Sequence, residues 1–216
     1  LQDGVFPLTR EALAPIHTKT TLLIRLVEDL RQLALAEADA LTLERTVLDV
    51  VPLVREVVAE FQANASARQI TLSTEAPPAL PLVVADRLRV VQVLANLLGN
   101  GLRHTPAGGI VTVRLGLTGP EAGVPAAVED DMLVLAVHDS GPGIPPADLP
   151  NVFERFYRAD KGRGRATDGS GSGLGLAIAR SLIQAHGGTI GAANAPEGGA
   201  IFWFTLPLAD NQTGFE

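Results

Sequence analysis

A run of alternating glycines, from Gly169 to Gly175, limits the possible folds of this sequence more than any other segment does. It opens an apolar segment, Leu174 to His186, that is predicted to be a helix. Glycine backbone at the start of a helix presents its N–H groups, and the positive end of the helix dipole, to an anion. Upstream of the run, glycines separate three cations: Lys161, Arg163 and Arg165. The pattern predicts a flexible lid that holds cations over an anionic ligand, and a disordered linker is the alternative.

Helices and strands are mixed along the rest of the chain. Asp49 and Asp86 are suited to cap helices, and the second of these helices should end near His104 and bury Leu88 together with Leu98. Residues 118–131 are expected to form a polar excursion between two strands. The pattern therefore predicts an α+β domain. Strands are predicted where apolar residues alternate or run continuously: 70–74, 82–84, 110–117, 132–138, 189–193 and 200–206.

A separate amphipathic helix is predicted near the N-terminus, capped by Thr9. Its apolar residues recur in alternating steps of three and four, as in a coiled coil or helix bundle. Pro15 should cause a kink or a later start. One helix cannot bury such a stripe alone, so we expect partner helices that this sequence does not supply, and a domain boundary near residues 43–48. The stripe comprises Leu13, Ile16, Leu23, Val27, Leu30 and Ala34.

Composition excludes several classes of function. The net charge of −7 argues against a nucleic-acid surface, which needs a basic face. The absence of cysteine excludes disulfides, thiolate zinc sites and cysteine nucleophiles. No apolar run approaches the ~18 residues of a membrane span, and the first residues do not resemble a signal peptide.

Two further segments place polar groups in a pattern suited to a magnesium nucleotide. Asn96 and Asn100 are four residues apart, so both amides lie on one helix face, and amide oxygen is a suitable ligand for Mg²⁺. Asp139 ends an apolar strand, where a carboxylate can accept a hydrogen bond from the adenine amine. Gly141 and Gly143 let the backbone approach a flat ring. Each segment alone fits a solvated helix face or an ordinary turn, but with the glycine run they predict a Mg-nucleotide site.

These segments resemble, in order, the four boxes of the catalytic ATP-binding domain of bacterial sensor histidine kinases, in the gyrase–Hsp90–histidine-kinase–MutL superfamily. The N box is residues 96–106, the G1 box 139–144, the F box 152–158 and the G2 box 171–178. The resemblance covers about residues 48–208. It implies a Bergerat-type ATP-binding fold, a two-layer α/β sandwich whose mixed sheet is covered on one face by helices, after a long N-terminal helix.

The resemblance implies a role for each box residue. Asn100 would coordinate Mg²⁺ and Asn96 would support the phosphate side. Arg103 stands where the family commonly has Lys, which keeps the charge but alters the geometry. Asp139 would hold the adenine amine. His104 stands where an aromatic residue is frequent and would stack near adenine; an ordinary helix end is the alternative.

Arg158 and the turn from Gly171 to Gly175 would grip the triphosphate. The catalytic set that the resemblance implies is Asn96, Asn100 and Arg103, with Asn100 as the metal ligand. The full nucleotide-binding set is Asn96, Asn100, Arg103, His104, Asp139, Gly141, Gly143, Ile144, Arg158, Gly171, Ser172, Gly173, Leu174, Gly175 and Leu176.

The same resemblance implies a protein-histidine kinase that transfers the γ-phosphoryl group of ATP to a histidine on a dimerisation helix, for relay to a response-regulator aspartate. Hydrolases of the superfamily carry Glu where this chain has Asn96. Because Asn cannot act as a general base, the site should hold ATP for transfer and not hydrolyse it quickly. Two alternatives stay open: a non-catalytic nucleotide-sensing module, and a serine-phosphorylating anti-sigma relative, against which the N-terminal helix argues.

The family's phosphoacceptor motif, His-Glu-Leu-Arg-Thr-Pro-Leu, is absent from this sequence. His17 has neither the acid nor the proline of that motif after it. Residues 3–8 resemble the loop between the two hairpin helices, which places His17 on the second helix. We therefore expect residues 1–45 to be a fragment of the dimerisation hairpin, 46–209 the catalytic domain and 210–216 a tail, in a C-terminal fragment that does not phosphorylate itself.

The resemblance also implies partners. These are ATP, the receiver domain of a response regulator, and the dimerisation hairpin of the same or a partner subunit, without nucleic acid. The full-length protein is expected to be a homodimer with this part in the cytoplasm, and an inner-membrane anchor upstream is one option.

Overall fold

A computed structural model describes residues 10–38, 41–117, 132–158 and 172–209. The expected loop at residues 3–8, the cap Thr9, the excursion 118–131, the cations Lys161, Arg163 and Arg165, Gly171 and the tail 210–216 lie outside the described residues. The elements are α1 (Arg10–Glu37), β1 (Thr46–Leu48), α2 (Val50–Ala67), β2 (Thr71–Glu75), β3 (Val83–Ala85), α3 (Arg87–His104), β4 (Ile110–Leu117), β5 (Met132–Asp139), α4 (Gly175–Ala185), β6 (Ile190–Asn194) and β7 (Ala200–Pro207).

Five strands form a mixed sheet in the order β2-β4-β5-β7-β6. The pair β2–β4 is parallel, and the remaining pairs are antiparallel. The predicted α+β class is confirmed. β1 and β3 form a separate antiparallel pair, with Thr46 opposite Ala85. β1 has no signal in the sequence, because three residues are too few to show an alternating pattern.

Helices cover one face of the sheet. Leu133, Leu135 and Val137 of β5 point into the main core with the buried residues of the helices. Val134 and Ala136, which alternate with them, belong to a second, smaller cluster with Ile201 and Trp203. Because side chains alternate between the faces of a strand, the two clusters lie on opposite faces, and the predicted two-layer sandwich is confirmed.

Both predicted helix caps are present. Asp49 accepts a hydrogen bond from the backbone N–H of Val51 at 3.0 Å, and Asp86 accepts from those of Leu88 and Arg89. The expected burial of Leu88 is wrong, since its side chain is 68% exposed. The buried stripe of α3 begins at Val90. Residues two positions apart point about 200° apart around a helix, so Leu88 faces away from the sheet.

The predicted stripe of α1 is exposed: Leu13, Ile16, Leu23, Val27 and Leu30 keep between 42% and 67% of their accessible surface. Different residues join this helix to the rest of the described structure. Leu33 is buried in the main core, and the side-chain oxygen of Gln32 accepts a hydrogen bond from Gln92 Nε2 at 2.8 Å. Contact with the domain therefore leaves the stripe available.

α1 runs without interruption through Pro15. The expected later start is wrong. Pro15 removes one backbone donor near the N-terminal end of this helix of 28 residues, and that loss does not prevent the helix from beginning before it. Within the described ranges, no helix is both long and apolar enough to cross a membrane.

A buried histidine joins the end of α4 to the start of α3. His186 Nε2 accepts a hydrogen bond from the backbone N–H of Asp86 at 3.0 Å. Its Nδ1 lies 2.7 Å from the carbonyl oxygen of Leu182, and must therefore carry the proton. Burial lowers the pKa of His186 below its ordinary value of 6.5. The ring is thus held neutral in the folded protein.

We expect the free energy of unfolding to fall as the pH is lowered from about 7.5 to about 5.5. In this interval the unfolded chain takes up a proton on His186 that the folded chain excludes, so stability increases with pH, by at most about 1.4 kcal/mol per pH unit for this one group. Urea unfolding at several pH values measures the slope. The slope should be smaller in His186→Asn and unchanged in His17→Asn, an exposed position on α1. His138, whose pKa burial also lowers, accounts for a remaining slope; equal slopes in wild type and His186→Asn would contradict the expectation.

Candidate nucleotide-binding site

The predicted N, G1 and G2 boxes come together beside the C-terminal half of α3. Asn96 Nδ2 donates a hydrogen bond to the carbonyl oxygen of Gly175 at 3.0 Å, which joins the N box to the start of α4. A Cβ built on Gly101 would lie 3.8 Å from the Cβ of Asp139, so the G1 box begins against the same helix. One side of α3 therefore supports both ends of the candidate site.

Asp139 is the buried acid of this site, with 6% of its surface exposed. Its Oδ1 accepts hydrogen bonds from the backbone N–H groups of Gly141 at 2.9 Å and Ala200 at 3.3 Å. Within the described residues, no group donates a hydrogen bond to Oδ2. Burial raises the pKa of Asp139, and the two backbone hydrogen bonds and the charge of His104 oppose this rise. The arrangement leaves one acceptor oxygen for a ligand.

Close backbone packing explains the glycines of the G1 turn. A Cβ on Gly141 would lie 2.8 Å from both Asp139 Oδ1 and the carbonyl oxygen of His104, which leaves no room for a side chain. Gly143 has a φ of +75°, a conformation that glycine adopts without strain. The turn thus presents bare backbone beside the free oxygen of Asp139.

At the other end of the site, the G2 turn is fixed to the F box. The backbone N–H of Phe156 donates to the carbonyl oxygen of Gly173 at 3.0 Å, and Ser172 Oγ accepts from the N–H of Leu174 at 3.2 Å. Among the described residues, no side chain caps α4 at Leu174. Within that part of the chain, the first N–H groups of α4 are therefore suited to bind an anion.

The N and F boxes supply Asn100 and three basic residues. Asn100 is half-buried one turn after Asn96, and Arg103, His104 and Arg158 are exposed. No hydrogen bond among the described residues involves the Asn100 amide. Those residues also contain no group of three or more His, Asp or Glu that suits a metal ion. A neutral amide oxygen is a donor suited to Mg²⁺ that shares its shell with waters and phosphate oxygens, so the residues fit that ion as part of a nucleotide complex.

The hairpin between β6 and β7, whose two strands the sequence predicts in hairpin-like order, holds the G1 turn from outside. This contact with the G1 turn has no signal in the sequence. Asn194 makes two hydrogen bonds to the backbone of Ile144. Gly199, with a φ of +86°, packs against the carbonyl group of Asp139. The adjacent Gly198 and Gly199 mark a turn in the sequence, but no local pattern connects them with a site about 60 residues away.

Comparison with known proteins supports the same assignment. A family model described as histidine kinase-, DNA gyrase B- and HSP90-like ATPase matches residues 85–210. The signal transduction histidine-protein kinase BaeS of Escherichia coli is 36% identical over 208 residues, which are 96% of this chain and 42% of BaeS. The chain thus spans less than half the length of this relative.

Two solved structures of histidine kinases share the fold. Full-length ShkA in complex with AMPPNP has a TM-score of 0.77 and 29% identity, covering 94% of this chain and 40% of ShkA. The histidine kinase ThkA in complex with the response regulator protein TrrA has a TM-score of 0.68 and 25% identity, covering 96% of this chain and 54% of ThkA. Both matches cover more of this chain than the domain matched by the family model, and thus include part of the N-terminal region.

Proposed function

We propose that this chain binds ATP with Mg²⁺ and donates the γ-phosphoryl group to a histidine side chain, because it belongs to the family of histidine kinase-, DNA gyrase B- and HSP90-like ATPases. Within that family it is the catalytic ATPase domain of a sensor histidine kinase. The observation that supports this best is that two features lie against α3. One is the buried Asp139 carboxylate beside the glycine turn, whose Oδ2 accepts no hydrogen bond from the described residues. The other is the start of α4, which no described side chain caps and which Asn96 joins to α3. Catalysis then consists of positioning and neutralisation of charge.

At the adenine end, Asp139 Oδ2 accepts a hydrogen bond from the exocyclic amine of adenine. Because Oδ1 is already held by two backbone N–H groups, the carboxylate cannot rotate to avoid the base. Gly141 and Gly143 pass beside the ring, and Ile144 and His104 border it.

At the phosphate end, the glycines of the G2 box and the first N–H groups of α4, at Gly175 and Leu176, hold the phosphate oxygens, while the N–H of Leu174 donates to Ser172 Oγ. Asn100 holds Mg²⁺, which when bound supplies positive charge to the phosphates. Arg103 and Arg158 add cationic side chains. Asn96 keeps Gly175 in place through its hydrogen bond, and its neutral amide cannot activate water, which favours transfer over hydrolysis.

The acceptor histidine belongs to a dimerisation hairpin of the same protein or a partner subunit. We propose that residues 1–45 are part of this hairpin, 46–209 the catalytic domain and 210–216 a tail. The exposed apolar stripe of α1 supports this, since it fits a helix that packs in a bundle. The phosphoryl group then passes to the receiver domain of a response regulator, as the complex of ThkA with TrrA suggests for a relative. The domain acts in the cytoplasm, where ATP and Mg²⁺ are present, and the full-length protein is a homodimer.

A transfer experiment tests the proposal. The chain is incubated with γ-³²P-ATP, Mg²⁺ and a separate hairpin domain that contains the His-Glu-Leu-Arg-Thr-Pro-Leu motif. We expect label on the hairpin, no label on the chain alone, and loss of transfer when the acceptor histidine of the hairpin is replaced by glutamine. Tight ATP binding without transfer favours the nucleotide-sensing module, and label on this chain that disappears in His17→Gln contradicts the proposed acceptor.

A further inference from the structure

The side chain of Asn194, the last residue of β6, pairs with one residue of the G1 turn. Its Oδ1 accepts a hydrogen bond from the backbone N–H of Ile144 at 2.7 Å. Its Nδ2 donates to the carbonyl oxygen of the same residue, also at 2.7 Å. The amide thus pairs with both backbone groups of Ile144, as a neighbouring strand would.

This pairing fixes one end of the G1 turn, and the rest of the hairpin fixes the other. A Cβ on Gly143 would lie 2.9 Å from Asn194 Oδ1, so the amide also packs against the backbone of the turn. At the start of the turn, the N–H of Ala200 donates to Asp139 Oδ1. Two backbone hydrogen bonds, from Ala195 to Gly199 and from Gly198 to Ala195, close the hairpin between these contacts. Residues 194–200 therefore act as a single clamp on residues 139–144.

A six-residue turn with two glycines would otherwise lose much conformational freedom when a ligand binds. We propose that Asn194 is a positioning residue for the adenine base: it holds the G1 backbone, and through it Asp139 Oδ2, in the binding geometry before the nucleotide arrives. The inference rests on the proposed function, because it concerns the same site.

Only asparagine supplies both groups at this length. Aspartate retains the acceptor for the Ile144 N–H but places a second oxygen against the Ile144 carbonyl oxygen, and serine is too short to reach both groups. Alanine removes both hydrogen bonds. The variants Asn194→Ala and Asn194→Asp therefore separate the loss of the pair from the loss of its donor. Asn64→Ala, at an exposed position on α2, is the matched control.

Calorimetric titration with ADP and with GDP tests the inference. Where adenine has the amine that donates a hydrogen bond to Asp139, guanine has a carbonyl oxygen. We expect Asn194→Ala to bind ADP about tenfold more weakly, with the ADP-to-GDP preference falling by a similar factor. Asn194→Asp should lose at least as much, and Asn64→Ala should equal wild type. A purely structural role would lower the thermal unfolding midpoint of Asn194→Ala and leave the ADP-to-GDP preference unchanged, and that result would overturn the inference.

Hydrogen exchange of the wild-type protein gives a second measurement that needs no variant. The backbone N–H of Ile144 is exposed, so it should exchange slowly only because it donates a hydrogen bond to Asn194 Oδ1. Fast exchange of this N–H would overturn the inference even if the variants fail to fold. Failure of the wild type to bind ADP would instead refute the proposed function. Normal ADP binding with an unchanged preference in Asn194→Ala refutes only the role of Asn194.

Discussion

Replacement of Asp139 by asparagine should weaken ATP binding by about 100-fold or more and remove the preference for ATP over GTP. The variant keeps an oxygen for the N–H groups of Gly141 and Ala200, so the G1 turn retains its hydrogen bonds. At the position of Oδ2 it places an NH₂ group, which faces the adenine amine donor to donor. The guanine base presents a carbonyl oxygen there, so binding of GTP should fall less or increase.

The measurement is competition of ATP and GTP for the wild type and for Asp139→Asn, with Mg²⁺ present. Asp49→Asn is the matched control, because it makes the same chemical change at an exposed helix cap where asparagine is equally suitable. Its nucleotide binding should not change. Equal ATP affinity in Asp139→Asn and wild type would exclude Asp139 as the adenine-binding residue.

Local physics explains why the sequence predicts much of this site. The caps at Asp49 and Asp86, the four-residue spacing of Asn96 and Asn100, and the glycine run before α4 all act within one or two helical turns. Such features depend on neighbours along the chain, so a single sequence contains their signal. The order of the boxes then specifies the family without any knowledge of the sheet.

The features that the sequence did not predict depend on contacts between distant segments. Ile144 and Asn194 are 50 residues apart, and an asparagine in a hairpin carries no sign of its partner. α3 has apolar residues on more than one side, and only the position of the sheet decides that Val90 is buried and Leu88 exposed. Likewise, α1 contacts the domain through Gln32 and Leu33 and not through its regular stripe. Periodicity identifies an apolar stripe but not the surface that it meets.

The two asparagines of the N box illustrate the difference between a residue that supports the site and one that is available to a ligand. They share a helix face, yet Asn96 is bonded to Gly175, whereas the Asn100 amide forms no hydrogen bond within the described residues. Loss of Asn96 therefore removes an interaction of the protein itself. Loss of Asn100 removes an oxygen that no described residue uses and that a bound group can use.

Asn100→Ala should consequently fold with the stability of the wild type but abolish the Mg²⁺ dependence of ADP affinity, and it should slow transfer to a hairpin histidine by about 100- to 1000-fold. Calorimetry with Mg²⁺ and with a chelator measures the first effect, and the transfer assay measures the second. Asn96→Ala serves as the comparison, since it should lower the thermal unfolding midpoint as well. If Mg²⁺ still strengthens ADP binding in Asn100→Ala as it does in the wild type, then Asn100 is not the magnesium ligand, and the metal must be held by the phosphates and other residues of the site.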